Sequence, residues 1–296
     1  MSTITLLTEL RYRNLDMHHW YHQQIALEEG LLIDALMAEG ASTERMAWDD
    51  PLVDWRSRDT LVFRSTWNYF EHIDHFRPWL ASVATQSRLV NDASLIAWNL
   101  DKHYLRDLHA AGVPIVPTEF ATPDAPRSLA EMLEATGWDE VVIKPAVGGA
   151  ARLTWRANRH ALEDHEHELA ACLTREAMLI QPFQKAIERS GETSVIVIDG
   201  QVSHAVLKRP RSGDFRVQDD HGGTVHPHEP DAAECALALH AVAACPTPPA
   251  YARVDMVASA EGPRVMEVEL IEPELFLRHH PSAAALLARA ILDGRG

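Results

Sequence analysis

Basic residues are scarce in this chain: 27 Lys and Arg stand against 43 Asp and Glu, which leaves a formal net charge of −16. So acidic a surface excludes nucleic acid and anionic membranes as partners, because both need a basic face. It does not exclude a nucleotide, since a few local Lys and Arg residues with a divalent cation suffice. Cysteine is also rare. Cys172, Cys235 and Cys245 are widely spaced, odd in number and form no CxxC. That pattern excludes a disulfide framework and the usual zinc site, and it predicts a reducing, cytoplasmic setting. Long hydrophobic runs are missing as well: no stretch approaches the ~18 apolar residues of a membrane-crossing helix. The apolar run Ile4–Leu7 has no basic segment before it and soon meets Glu9 and Arg11, so no secretory signal is expected.

What is present is a globular pattern, with 46% hydrophobic residues, enough for a sizeable core. Ile4–Leu7, Thr43–Trp48 and Thr60–Phe63 read as strands, and 22–39 and 76–85 as helices. Alternating strands and helices predict an open α/β layer over residues 1–97. Apolar residues at Leu100, Tyr104, Leu105 and Leu108 predict one helix over 99–112, ended by Gly112. A helix from Ser128 to near Gly137, a strand at Val141–Pro145 and a strand at 178–183 follow. Together these predict a central unit over 98–182. Ser194–Asp199 and Gln201–Leu207 flank Asp199-Gly200, a strong hairpin pair. Tyr251–Val257 and Val265–Ile271 add two strands, and Ala283–Leu292 a terminal helix. The last unit, 183–296, therefore reads as α+β with antiparallel hairpins.

Five places carry chemistry. Glu267 and Glu269 lie two apart on a strand and share a face, with Met266, Val268 and Leu270 opposite. A turn at Glu261-Gly262-Pro263 folds that strand beside the one bearing Asp255. Three converging carboxylates call for a hard cation, and Mg2+ takes oxygen ligands. The solvent face of an amphipathic hairpin would look the same. Lys144 ends an apolar strand before Val147-Gly148-Gly149-Ala150-Ala151, whose small residues permit close approach of a phosphate. An ordinary strand end also fits. Lys102 lies on the predicted 99–112 helix, where most lysines are simply solvated. Gln181-Pro182-Phe183 ends a strand at a proline, freeing backbone groups to read an adenine. Last, Lys208, Arg209, Arg211 and Arg216 crowd a glycine-punctuated loop leading to His221-Gly222-Gly223, suited to a polyanion or carboxylate.

The order of these parts resembles the ATP-grasp superfamily. The middle of the chain looks like prokaryotic glutathione synthetase. From Arg64-Ser65-Thr66-Trp67-Asn68-Tyr69 to about Phe276 it is more similar to the small ATP-grasp proteins that include the cyclo-ligase of cycloserine biosynthesis. The similarity is carried by Trp98-Asn99-Leu100-Asp101-Lys102, Val142-Ile143-Lys144-Pro145, His204-Ala205-Val206-Leu207-Lys208-Arg209-Pro210, Gly213-Asp214-Phe215-Arg216, His221-Gly222-Gly223 and Glu267-Val268-Glu269-Leu270-Ile271-Glu272-Pro273. The resemblance implies an ATP-grasp fold behind a Rossmann-like N-terminal domain. It implies a ligase that makes an acyl phosphate from a carboxylate and joins it to an amine, with cyclisation of an amino-acid derivative as one form. Lys102 and Lys144 would bind ATP phosphates, and Val147–Ala151, with Gly148 and Gly149, would be the lid. Gln181, Pro182 and Phe183 would frame adenine, with Glu188 or Glu192 at the ribose. Arg216 would stabilise the transition state, and Asp255, Glu267 and Glu269 would hold one or two Mg2+ ions, or Mn2+.

The chain departs from glutathione synthetases at Gly191-Glu192-Thr193-Ser194, where they carry a basic residue, so glutathione is not the expected product. Two alternatives remain open at this point: a nucleotide-binding module without ligation, and a phosphotransferase that stops at the phosphorylated product. Arg64, at a strand end, together with Lys208, Arg209, His221 and Gly222, is expected to meet substrate; Glu9–Arg13 and Arg64–Trp67 are expected to shape the acceptor pocket. His204 is also placed near the site. The expected partners are small-molecule carboxylate and amine substrates. The oligomeric state stays open, a homo-oligomer included.

Overall fold

The computed structural model describes residues 3–217 and 222–294. The first layer is a parallel sheet of β1 (Thr3–Thr8), β2 (Ser42–Ala47), β3 (Thr60–Ser65) and β4 (Arg88–Val90), in the order β2-β1-β3-β4. Parallel strands need crossovers. The helices α1 (Trp20–Ala38) and α2 (Ile73–Val83) supply two of them. Ile4, Leu6, Leu7, Leu61, Val62 and Phe63 are all fully buried, because helices and loops cover both faces.

The single helix expected over 99–112 is two helices, α3 (Ala93–Asn99) and α4 (Tyr104–Ala110). The break has a tertiary cause. The backbone N–H of Lys102 donates to Ala146 O at 2.9 Å, and the Asn99 side chain bridges Val268 O and Leu270 N. These bonds hold the turn at 100–103 and aim Lys102 inward.

The second sheet runs β5 (Glu119–Ala121), β8 (Met178–Pro182), β6 (Glu140–Pro145), β7 (Trp155–Asn158), all antiparallel. The helices α5 (Leu129–Thr136) and α6 (Leu162–Leu173) pack on it through Met132, Leu133, Leu169 and Leu173. A capping box between Ser128 and Glu131 starts α5, and Gly137 at φ 72° ends it.

After the short α7 (Ala186–Ser190), the third sheet is assembled from β9 (Glu192–Ile198), β10 (Gln201–Arg209), β11 (Thr224–His228), β12 (Tyr251–Ser259) and β13 (Gly262–Glu269), in the order β11-β10-β9-β12-β13. Asp199 and Gly200 both take positive φ, 50° and 71°, the geometry that matches a two-residue hairpin to strand twist. The helix α8 (Ala232–Ala243) packs beneath this sheet through Leu237, Ala238 and Ala241. The last helix, α9 (Ala283–Leu292), packs between α1 and the third sheet, sharing a core with Ile4, Leu32 and Leu36 on one side and Ile196 and Ile198 on the other. Among the described residues no helix is long and apolar enough to cross a membrane.

Candidate functional site

A cleft of about 650 Å³ opens where the three sheets meet. Its floor is the β12–β13 pair. Asp255 stands opposite Glu267 in the register, and Arg253 opposite Glu269. The pairing slips between Asp255 and Met256, so that Val265 and Val268 both turn to the core while Met266, Glu267 and Glu269 all line the cleft. This bulge corrects the strict alternation expected for the strand: Met266 shares the carboxylate face. One extra residue re-aims a side chain, a use bulges have beside sites.

Lysines meet these carboxylates from three other places, the turn before α4, β6 and β10. Lys102 Nζ lies 2.9 Å from Glu267, and Lys144 Nζ lies 3.8 Å from its other oxygen. Lys208 bridges Glu192 and Asp255, at 3.3 Å from the latter. Arg253 grips Asp255 at 3.0 Å and Glu269 at 2.5 Å, and Ser194 donates to Asp255 at 2.5 Å. Burial pushes the Asp255 acid up, but Arg253 and Lys208 outweigh it and hold the group below its ordinary range. Glu267 behaves alike, kept low against burial by Lys102 and Lys144. Glu269 is raised, by burial first, despite Arg253. Burial also lowers Lys144, against the pull of Glu267. The carboxylates therefore do not form one ready-made ligand set as expected; among the described residues no group of three metal-binding side chains stands together. Each acid is turned to a basic group, with Arg253 shared by Asp255 and Glu269, because like charges in a buried site turn towards cations. The donors themselves, all oxygen and adjacent in register, fit a hard divalent cation.

The far end of the cleft is apolar. Val142, Phe183, Ile187, Phe215, Val217 and Met266 line it. β5 pairs with β8 only as far as Ile180, so Gln181 to Phe183 run on without that neighbour. Gln181 is fixed by its bond to Thr118 at 2.9 Å. Of the two acids expected at a ribose, only Glu192 faces the cleft. Glu188 points to Arg156, 2.9 Å away, whose guanidinium lies 3.7 Å over the Phe183 ring. Arg216 lines the cleft and pairs with Asp214 at 2.8 Å.

The glycine loop hangs over this space. Lys102 Nζ donates to Gly148 O at 2.5 Å, and a Cβ on Gly149 would come within 2.9 Å of the Phe70 ring. Only glycine lets the loop rest on that ring. Ala150, Ala151 and Leu153 take positive φ, an uncommon state for non-glycine residues. Arg152 tethers the loop to Glu176 through two bonds of 2.7 and 2.8 Å.

The N-terminal layer supplies the remaining wall with Arg11, Tyr12, Tyr21, Trp67 and Phe70. Several expected substrate contacts lie elsewhere. Arg64 is buried beside the wall, where it donates to Pro273 O and stacks over Tyr251 at 5.2 Å; it lines a separate small cavity with Glu28 and Glu29. Arg209 and Gly222 are exposed and outside the cleft, because the end of β10 turns Arg209 away from the side that holds Lys208. His221 lies outside the described residues. His204 is buried and spent on Leu275 O at 2.8 Å, and burial pulls it down to about 4. Residues not anticipated are Arg253, which holds two of the three carboxylates, and Asn99 and Tyr104, which clamp the β13 backbone on either side of Glu269. Arg253 was readable in principle as the residue two before Asp255 on the same strand face.

Comparison with known proteins agrees with this geometry. The family model for the N-terminal domain of D-cycloserine synthetase DcsG matches residues 4–91, and that for the RimK-like ATP-grasp domain matches residues 126–275. The chain is 33% identical over 281 residues to the cycloserine biosynthesis protein DcsG of Streptomyces lavendulae, covering 88% of this chain and 92% of that one. The crystal structure of D-cycloserine synthetase DcsG superposes with a TM-score of 0.85 at 29% identity, over 99% of both chains. D-alanine–D-alanine ligase from Bacillus anthracis, complexed with ATP, shares the fold at a TM-score of 0.69 and 16% identity, over 99% of this chain and 97% of that one. ATP-grasp ligases use ATP and a divalent metal. With half its length inside the ATP-grasp model, the chain belongs to the RimK-like ATP-grasp family and is an ATP-dependent carboxylate–amine ligase.

Proposed function

We propose that the cleft activates the carboxylate of an amino-acid derivative as an acyl phosphate and that an amine, in the same molecule or a second one, displaces the phosphate. The observation that carries this reading is the convergence of Lys102 and Lys144 on Glu267 at the mouth of an apolar slot. The slot between Phe183 and Met266 takes the adenine, with the backbone of Gln181 to Phe183 as its polar edge and Glu192 towards the ribose. Lys102 and Lys144 hold phosphate oxygens, and Gly148 and Gly149 close over them. Asp255, Glu267 and Glu269 hold Mg2+, one ion or two, with Mn2+ as a substitute. A cation held there would supply positive charge for the phosphates, and Lys102 and Arg253 are the residues that now neutralise its carboxylate ligands.

The carboxylate oxygen attacks the γ-phosphorus, and the bond to the β-phosphate bridging oxygen breaks, leaving ADP. The amine then forms the C–N bond, inorganic phosphate leaves, and the amine loses a proton. The protein contributes position and charge, with Arg216 spreading the charge that develops on the transferring group. The loop resting on Phe70 keeps water from the acyl phosphate. DcsG, by its names, serves cycloserine biosynthesis, so cyclisation of an amino-acid derivative is the favoured form here. Three free cysteines agree with a cytoplasmic site of action.

An isotope experiment tests this. Substrate labelled with 18O in its carboxylate should pass one label to the released phosphate. ADP formed with unlabelled phosphate would sink the acyl-phosphate route, and a phosphorylated product retained without free phosphate would make the enzyme a phosphotransferase.

A further inference from the structure

The glycine loop is held from two sides, and the two holds differ in kind. On the side of the second sheet, Arg152 grips Glu176 through two bonds of 2.7 and 2.8 Å. Glu176 stands beside Ala177, whose carbonyl accepts from Ala146 N at 2.8 Å, so this hold lies at the root of the loop itself. On the side of the N-terminal layer, Gly149 rests on the Phe70 ring, an apolar contact. The residue after Phe70 is Glu71. It is exposed, it lines the cleft, and among the described residues it makes no ion pair. Its mount is rigid. Glu71 N donates to Asn68 O at 3.0 Å, and the Asn68 side chain is pinned between Trp48 Nε1 and Asp49, both at 2.8 Å. The bond to Glu176 is the first cause that raises the Arg152 guanidinium above its ordinary range, and the charge of Glu71 adds to it. Glu71 therefore already acts on Arg152 across the seam between loop and wall.

A cover tied only to its own root leaves that seam open to water. The loop is also strained, because Ala150, Ala151 and Leu153 take φ of 48°, 54° and 44°. Such a conformation persists only where surrounding contacts over-determine it. The Glu176 bonds supply such contacts, so Arg152 gives them up only against another carboxylate. Resting on the reading of this loop as the cover of the phosphate site, we propose that Glu71 is the second seat of Arg152: on nucleotide binding the guanidinium passes from Glu176 to Glu71, and the new pair positions the loop against the N-terminal wall for the reaction. Glu71, Arg152 and Glu176 are positioning residues, and none of them touches the reacting atoms. Phosphates entering beneath the loop draw the guanidinium inwards, and its planar fork makes two parallel bonds with either carboxylate. One ion pair replaces another, so the two states lie close in energy and a bound nucleotide decides between them. The exchange moves the tie from the second sheet to the layer that carries the aromatic wall, which closes the seam.

The test uses the full-length enzyme and trypsin, which cuts after Arg152. The probe is the non-hydrolysable β,γ-imido analogue of ATP, at saturation with Mg2+. Cleavage between Arg152 and Leu153 is followed by mass spectrometry, and it reports how often the loop is released. In the wild type the probe should slow this cleavage by about tenfold. Glu71→Gln should cleave like the wild type without the probe and lose most of the protection with it. Glu176→Gln should do the reverse, with cleavage about tenfold faster without the probe and at the wild-type rate with it. By linkage, Glu71→Gln should weaken probe binding and Glu176→Gln should tighten it, each by no more than about tenfold. Glu71→Asp should restore part of the protection. A merely structural role would move both states of a variant together and weaken binding in both variants. Because Glu71 is exposed, Glu71→Gln should melt like the wild type, which shows that it is folded. Full protection in Glu71→Gln would overturn the proposal, as would shifts of the same sign in probe binding for the two variants. If the bound probe leaves wild-type cleavage unchanged, the reading of the loop as a cover fails, a result distinct from these.

Discussion

The floor and the wall of the cleft are built on opposite plans. On the floor, β12 and β13 set four charged side chains within two strands, Arg253, Asp255, Glu267 and Glu269, and Lys102, Lys144 and Lys208 come in from neighbouring elements to match them. On the wall, Tyr12, Tyr21, Trp67 and Phe70 present rings, held mostly by edge and tilted contacts of 5.3 to 6.0 Å. On the proposed function the floor serves the nucleotide and its cation, and the wall serves the substrate. The contrast teaches that charge spacing along strands points to the reaction, whereas the aromatic wall points to what is held beside it.

The largest break in this contrast should come from the floor. Glu267→Gln keeps the shape of the side chain but removes the charge that Lys102 and Lys144 share. Turnover at saturating ATP should fall by roughly a thousandfold or more. Activity within tenfold of wild type would show that the floor is not the metal and phosphate site. Trp67→Leu should act on the wall alone, raising KM for the carboxylate substrate by about tenfold while KM for ATP holds. Equal changes in both KM values would erase the division between floor and wall. Arg64→Lys should be smaller in activity and visible in stability. It weakens the bond to Pro273 O and the stacking on Tyr251. Loss of such contacts costs about 1–3 kcal/mol in urea unfolding. A collapse of turnover with unchanged stability would return Arg64 to the substrate.

The smallest effect is a pH trend in the unliganded protein. Burial pushes Glu9 and Glu28 up to about 7 and Glu272 to about 8. In the folded state these groups hold protons that the unfolded chain has already lost, so stability is present at low pH and declines as pH rises through the folded values. Between pH 6.5 and 8.5 the melting temperature should therefore drop, by about a few °C. This window lies above the range in which His204, lowered to about 4, pulls the other way. Glu272→Gln should flatten the slope. A melting temperature that rises across the window would contradict the dominance of burial over the nearby cations at these acids.

Much of the floor was legible in the residues. Asp255, Glu267 and Glu269 carry charge at strand spacing, Lys144 ends an apolar strand, and Asp199-Gly200 marks the hairpin of β9 and β10, which pairs with β12 through β9. Local rules fail where a tertiary bond takes over. The 99–112 segment has one helical stripe, yet Ala146 and Val268 claim its backbone and side-chain groups and split it at Lys102. Met266 follows the alternation on paper, and a bulge moves it to the other face. The helix α6, reading Leu162-Glu163-Asp164-His165-Glu166-His167-Glu168-Leu169, offers too few apolar positions to announce itself. It is stabilised by burying Leu169 and Leu173 on the second sheet. The strands β7 and β11 are short edges whose polar residues show no alternation.

The sequence by itself determined the reaction class, because a fixed order of lysines, glycine loop, arginine and paired carboxylates is set by covalent spacing along strands and turns. Only the tertiary structure decided which acid each lysine meets, that Arg64 stays behind the wall, and that the Glu272 backbone is held by Trp67. Those facts depend on contacts between residues more than a hundred positions apart, such as Lys102 with Glu267 and Trp67 with Glu272. No local pattern encodes such contacts, since they arise only when three separately built sheets close on one another.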